Sequence, residues 1–203
     1  MLHDKILNMK KIFFIQLIFL FSLYSCDDIV PNLKRDNPLD TNSGNNTNTV
    51  FTIGQAYGGG IIFYIDGTGQ HGLISSTTDQ STGAEWGCKG TTISGADGAG
   101  IGSGNQNTTA IITSCTTSSI AAKICYDLVL NGYSDWFLPS KGELDLMYTN
   151  LAKQNLGGFT NVDYWSSTGF GGTYASALNF NPSYSDHLLD KDISARVRAV
   201  RAF

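Results

Sequence analysis

Residues 12–24 are almost wholly apolar or aromatic, follow Lys10 and Lys11, and give way at Ser25-Cys26 to Asp27 and Asp28. A basic start, a short apolar stretch and a small residue before a processing point make a secretory signal. The run is shorter than the roughly 20 residues a membrane-spanning helix needs. Met9-Lys10-Lys11 is a tidier start for such a signal than residues 1–8. The consequence for folding is strong. The globule must assemble from the residues beyond Ser25, outside the cytosol, where cysteine pairs oxidise.

Leu23-Tyr24-Ser25-Cys26 resembles a bacterial lipobox, in which the cysteine sulfur receives a diacylglycerol and its new amino terminus a further acyl chain. Each buried methylene adds about 0.8 kcal/mol, so several chains anchor a protein near-permanently. Asp27 and Asp28 resemble the acidic residues that follow the lipid cysteine in many Bacteroidetes lipoproteins. The expected organisation is a signal over 1–25, a lipidated tether over 26–50 beginning at Cys26, and a folded domain over 51–203. The expected location is the outer membrane, lipid-anchored, facing the periplasm or the cell surface. The second half of the tether has no apolar periodicity, and 24 residues at random-coil scaling reach about 25–30 Å.

Removing residues 1–25 from the 203 takes away three lysines and one aspartate and leaves 10 basic against 16 acidic residues, a net charge of −6. Such a domain is a poor partner for nucleic acid or sulfated polyanions, whose binding rests on Lys and Arg. The basic cluster Arg196, Arg198 and Arg201 alternates on an expected strand, which makes its members neighbours on one face or buried partners of carboxylates, a structural role rather than an anion site. Of the cysteines left beside Cys26, Cys125 falls on an apolar helical stripe with Ala121, Ile124 and Leu128 and suits a buried small hydrophobe. Cys88 and Cys115 are therefore the expected disulfide. Their spacing, and the isolation of His71 and His187, do not suit zinc.

Two apolar runs, 60–66 and 71–75, flank a glycine-rich turn and predict a hairpin. The glycine-rich stretch 88–104 predicts loop. Helices are expected from about Asn107-Thr108 to Cys115, over 118–131 with Asn131-Gly132 as its stop, and from Ser140, where Glu143 completes a capping box. Trp136-Phe137-Leu138, residues 164–167, 174–180 and 195–203 read as strands. Strands, then helices, then strands point to an α+β fold with short twisted antiparallel strands and about three helices.

The run Gly100-Ile101-Gly102-Ser103-Gly104 lacks the third glycine of a dinucleotide fingerprint and the lysine of a phosphate loop. No Gly-x-Ser-x-Gly elbow is present, His71 lies beside a hairpin turn, and His187 reads as part of a polar loop. No catalytic residue and no cofactor is therefore expected. Trp136 and Trp165 lie in short apolar strands and suit the core. Asn179, Asn181, Tyr184 and Asp186 are the candidate ligand-binding residues, as an exposed amide, aromatic and carboxylate surface for sugar hydroxyls and faces. Asp186, Asp190 and Asp192 with Asn179 and Asn181 offer oxygen ligands to calcium, but match no calcium loop and no metal site is assigned.

Several segments together resemble one family: Tyr57-Gly58-Gly59-Gly60-Ile61-Ile62-Phe63-Tyr64, Trp86-Gly87-Cys88, Gly102-Ser103-Gly104-Asn105-Gln106-Asn107-Thr108, Asp135-Trp136-Phe137-Leu138-Pro139-Ser140, Tyr164-Trp165-Ser166-Ser167-Thr168 and Val197-Arg198-Ala199-Val200-Arg201. The pattern, over about 57–203, is similar to the C-terminal domain family of the Legionella collagen-like protein, formerly a domain of unknown function. The resemblance implies a C-type-lectin-like fold, related in shape to formylglycine-generating enzymes, and adhesion or glycan binding at a bacterial surface. This chain has no Gly-x-y stalk and is acidic, so neither trimerisation nor a sulfated ligand carries over. The calcium-binding Glu-Pro-Asn type motif of sugar-binding lectins is absent; Asn181-Pro182 is its nearest fragment. The expected function is non-catalytic binding of a glycan or protein at the envelope. Its alternatives are an extracytoplasmic enzyme of the formylglycine-generating type and a purely structural envelope component.

Overall fold

The structure is a computed structural model, and it describes residues 49–203. The expected signal, the expected lipidation site Cys26 and nearly all of the expected tether lie outside the described residues. None of the described helices is long and apolar enough to cross a membrane.

The fold is α+β, with two sheets and three α-helices among the described residues. The strands are β1 (Ala56–Tyr57), β2 (Gly60–Ile65), β3 (Gly72–Ser75), β4 (Ser81–Ala84), β5 (Asp163–Phe170), β6 (Tyr174–Asn179), β7 (Ser185–Asp190), β8 (Ala195–Val197) and β9 (Val200–Ala202). The helices are α1 (Gly104–Ser114), α2 (Ala121–Tyr126) and α3 (Lys141–Asn150), and a 3₁₀ turn, Ala152–Gln154, follows α3. One sheet has the order β1-β2-β3-β9 and the other β4-β8-β5-β6-β7. All pairs are antiparallel except β5 with β8. The C-terminal segment expected as one strand is two: β8 joins the five-stranded sheet and β9 the four-stranded one. It stitches the two sheets together.

The predicted hairpin is β2–β3. Its register shifts between Ile62 and Tyr64, which lets the consecutive Ile62 and Phe63 both turn inward. One core holds Trp86, Trp136 and Trp165 with α1 and α2. The other lies under α3 and holds Phe63, Phe137, Tyr148, Tyr164 and Phe180. All three tryptophans are buried, as the sequence predicts for Trp136 and Trp165. Cys88 and Cys115 form a disulfide with Cα atoms 5.8 Å apart, and Cys125 is free and buried.

The helices correct the sequence reading. α1 starts at Gly104 behind Ser103, without a side-chain cap. Asn107 and Thr108 turn inward instead. Asn107 clasps Gly98 through both its amide atoms, and Thr108 Oγ1 accepts from Leu138 N at 3.0 Å. The helix expected over 118–131 is confined to Ala121–Tyr126. Asn131 and Gly132 both have positive φ, and Leu130 and Tyr133 exchange backbone hydrogen bonds across them. That is a two-residue hairpin turn, the conformation an Asn-Gly pair favours most. Residues 136–138 contribute only an isolated bridge, Phe137 to Val200. At α3 the capping box is complete: Ser140 Oγ accepts from Glu143 N, and Ser140 N donates to Glu143 Oε2 at 2.8 Å.

The arginines are structural. Arg196 Nη1 lies 2.7 Å from Asp79 Oδ2, and Arg198 Nε donates to Asp79 Oδ1 at 2.8 Å. Arg201 grips both oxygens of Asp135, at 2.8 and 2.9 Å, and lies over the Tyr133 ring.

Candidate ligand groove on the uncovered sheet face

Alternation along β6 puts Tyr174, Ser176 and Leu178 on one face of the five-stranded sheet. Their cross-strand partners Asp190, Leu188 and Asp186 on β7, and Phe170 opposite Tyr174 on β5, share that face. Near Leu178 the face is covered by α3 and belongs to the core. Near Phe170 no described element covers it. Phe170 is 63% exposed, Leu188 45% and Tyr174 44%. Phe170, Tyr174 and Leu188 thus place apolar surface side by side on one patch of sheet.

A groove of about 640 Å³ opens on this stretch, bounded by Asp97, Lys141, Phe170, Ser176, Asp186, His187 and Leu188. Its polar wall is held in place. Lys141 Nζ lies 3.0 Å from Asp145 and 2.9 Å from Asp186, and Ser176 Oγ donates to Asp186 at 3.4 Å. Burial works against the Lys141 charge, but the Asp186 and Asp145 carboxylates outweigh it and raise the lysine's pKa, so it stays cationic. His187 Nε2 lies 3.3 Å from Asp163. The opposite rim, the 97–99 loop, is tied down by the Asn107 clasp and by Gly169 N donating to Ala96 O at 2.7 Å.

Behind the turn carrying Phe170 sits Lys191, fully buried, with its ammonium 4.4 Å from the Trp86 ring. It donates to the carbonyls of Thr91 at 3.0 Å and Gly171 at 2.9 Å, and burial lowers its pKa. The lysine fixes the Gly171 turn, and with it the presentation of Phe170.

Of the expected ligand residues, only Asp186 borders the groove. Asn179 donates to Asp163 at 2.8 Å and caps Asn181 N at 3.1 Å. Asn181 is half-buried, and its Oδ1 is buried without a partner. Tyr184 is half-buried, stacks on Tyr148 with ring centroids 4.5 Å apart, and donates to Asp145. These three are therefore not an exposed sugar surface. They are tied into the end of the sheet and to α3. His187, expected in a loop, lies on β7, and His71 is exposed beside its hairpin. The carboxylates considered for calcium diverge: Asp186 pairs with Lys141, while Asp190 and Asp192 pair with Lys89. No group of three or more His, Cys, Asp or Glu converges among the described residues.

Phe170, Leu188 and Lys141 escaped the sequence reading. Phe170 stands between Gly169 and Gly171-Gly172 at a strand end, and an aromatic isolated among turn glycines is the signal that marks it. Cys125 is buried in the tryptophan core, and burial pushes its thiol pKa far up.

No protein-family model matches the chain, and no curated protein matches it. Among solved structures, the chain is similar to a fimbrial protein from Bacteroides ovatus ATCC 8483, at 15% identity and a TM-score of 0.44. That match covers 64% of this chain and 35% of the fimbrial chain, so this chain spans about a third of that protein's length.

Proposed function

We propose that this is an envelope lipoprotein whose domain binds a glycan or protein ligand without catalysis, through the groove on the uncovered sheet face. Cys26 carries the lipid, and the tether holds the domain off the outer membrane. The C-type-lectin-like fold and the likeness to the Legionella collagen-like C-terminal family belong to this reading. The observation that carries it is the exposure of Phe170 and Leu188 beside a groove whose polar wall is already fixed by Lys141 and Asp186. Such a mixture of apolar surface and a few held polar groups is what ligand sites are made of. The buried thiol of Cys125 supports binding over chemistry of the formylglycine-generating type.

The test is an array carrying glycans and purified envelope proteins, probed with the lipoprotein and with its Phe170→Ser variant. At least one ligand is expected to bind the wild type, and to lose about tenfold or more in affinity with the variant, the scale of one buried aromatic contact. Equal binding by the two proteins to every ligand would remove the groove from the account.

A further inference from the structure

A second cavity, of about 440 Å³, lies away from the groove, beyond the C-terminal end of α3. Tyr148, Phe159 and Phe180 form its aromatic side, and Lys153, Asn155 and Asn161 its polar side. The amides of Asn155 and Asn161 have no hydrogen bond to any described residue, so donors and acceptors remain free on both. Lys153 is distinctive. Every other described lysine and arginine is occupied: Lys89, Lys123, Lys141, Arg196, Arg198 and Arg201 on aspartates, and Lys191 on two carbonyls. Among the described residues Lys153 alone of the lysines and arginines has no partner. The lining of its cavity holds no carboxylate, in a domain that is acidic as a whole.

We infer that this cavity is a second binding site, and that its ligand is a sugar residue bearing a carboxylate. Phe159, the half-buried ring of the three, gives the cavity an apolar wall for the C–H side of a sugar ring, while Tyr148 and Phe180 belong to the core, and free amides are the groups that meet the sugar's hydroxyls. The unpaired ammonium supplies what a carboxylate needs, a charge-assisted hydrogen bond in a place with no competing anion. The site is separate from the sheet groove, and rests on the proposed function only in that its ligand is a glycan.

The test titrates the full-length lipoprotein in detergent with digalacturonate, with neutral digalactose and with tetraglutamate. Lys153 is exposed, so digalacturonate is expected to bind about fivefold more tightly than digalactose, the upper end of what one solvent-screened charge contact yields. Lys153→Gln is expected to bring the two within about twofold, and Asn161→Ala to weaken both. Phe170→Ser is expected to leave digalacturonate binding unchanged. No binding of digalacturonate, a preference that survives Lys153→Gln, or equal binding of tetraglutamate would each overturn the inference. Loss of uronate binding in Phe170→Ser would place the sugar in the sheet groove, overturning the second site while leaving the proposed function intact.

Discussion

Asp79 receives Arg196, Arg198 and the Tyr164 hydroxyl, and Arg198 also donates to the carbonyls of Ser76 and Gly157. Arg198 is almost fully buried and stacks on Phe159. A buried cation stripped of its partner is strongly destabilising. Asp79→Ala is therefore expected to lower unfolding stability by about 3–5 kcal/mol, measured by urea denaturation. A loss under about 1 kcal/mol would show that the guanidinium finds water instead. The structural character of these arginines was legible in their alternation near the chain end. Their acceptor was not, because Asp79 lies over a hundred residues away and nothing local marks it. The same holds for the groove. Asp186 is legible as an acid among polar residues, while Phe170 carries only its isolation among turn glycines, and its lack of cover comes from the fold.

At the scale of elements, Glu143 does more than complete a capping box. Its Oε1 also accepts from Gly102 N at 2.8 Å, which ties the glycine-rich loop to α3. Gly104 is required beside it, because a Cβ there would collide with the Glu143 carboxylate. Burial raises the Glu143 pKa more than these backbone donors lower it. The folded state thus holds this proton to higher pH than the unfolded chain does. Stability from that proton is complete below the ordinary carboxylate pKa and is lost as pH rises through the folded value. Glu143→Ala orphans buried donors and is expected to lose about 1–3 kcal/mol. The variant's stability should also lack the wild type's gain on acidification, as read by chemical denaturation at several pH values.

The capping box was legible because it is a local pattern of side chain and backbone. The Asn131-Gly132 turn is not legible locally, because the same pair ends helices and closes hairpins, and only the partner segment decides. Gly132 has φ +83°, so Gly132→Ala is expected to cost about 1 kcal/mol or more in thermal unfolding. Asn131→Gly keeps a turn-competent pair but removes the amide that donates to Gly59 O at 2.8 Å, so it is expected to cost about 0.5–1.5 kcal/mol in the same measurement.

For the whole molecule, long-range ties do what local sequence cannot. The last strands bridge two sheets, and the Cys88–Cys115 bond closes a loop of sequence separation 27 between the glycine-rich segment and the end of α1. Loop-closure entropy for that span corresponds to about 3–4 kcal/mol. The Cys88→Ser/Cys115→Ser double variant is expected to lose that much in urea denaturation. The α+β class was readable from the order of periodic segments. The division into two sheets was not, because residues 195–203 alternate without a visible break and the partners of each half lie far along the chain.

Hydroxyl-radical footprinting of the full-length protein, in the cells that make it and after purification, tests the central claim directly. Phe170, Tyr174 and Leu188 should be oxidised in the purified protein and shielded in the cells. Tyr126 and Val129, exposed on another part of the surface, should be oxidised equally in both. Equal oxidation of Phe170 and Leu188 in the two settings would contradict the claim that this face is where the protein meets its partner.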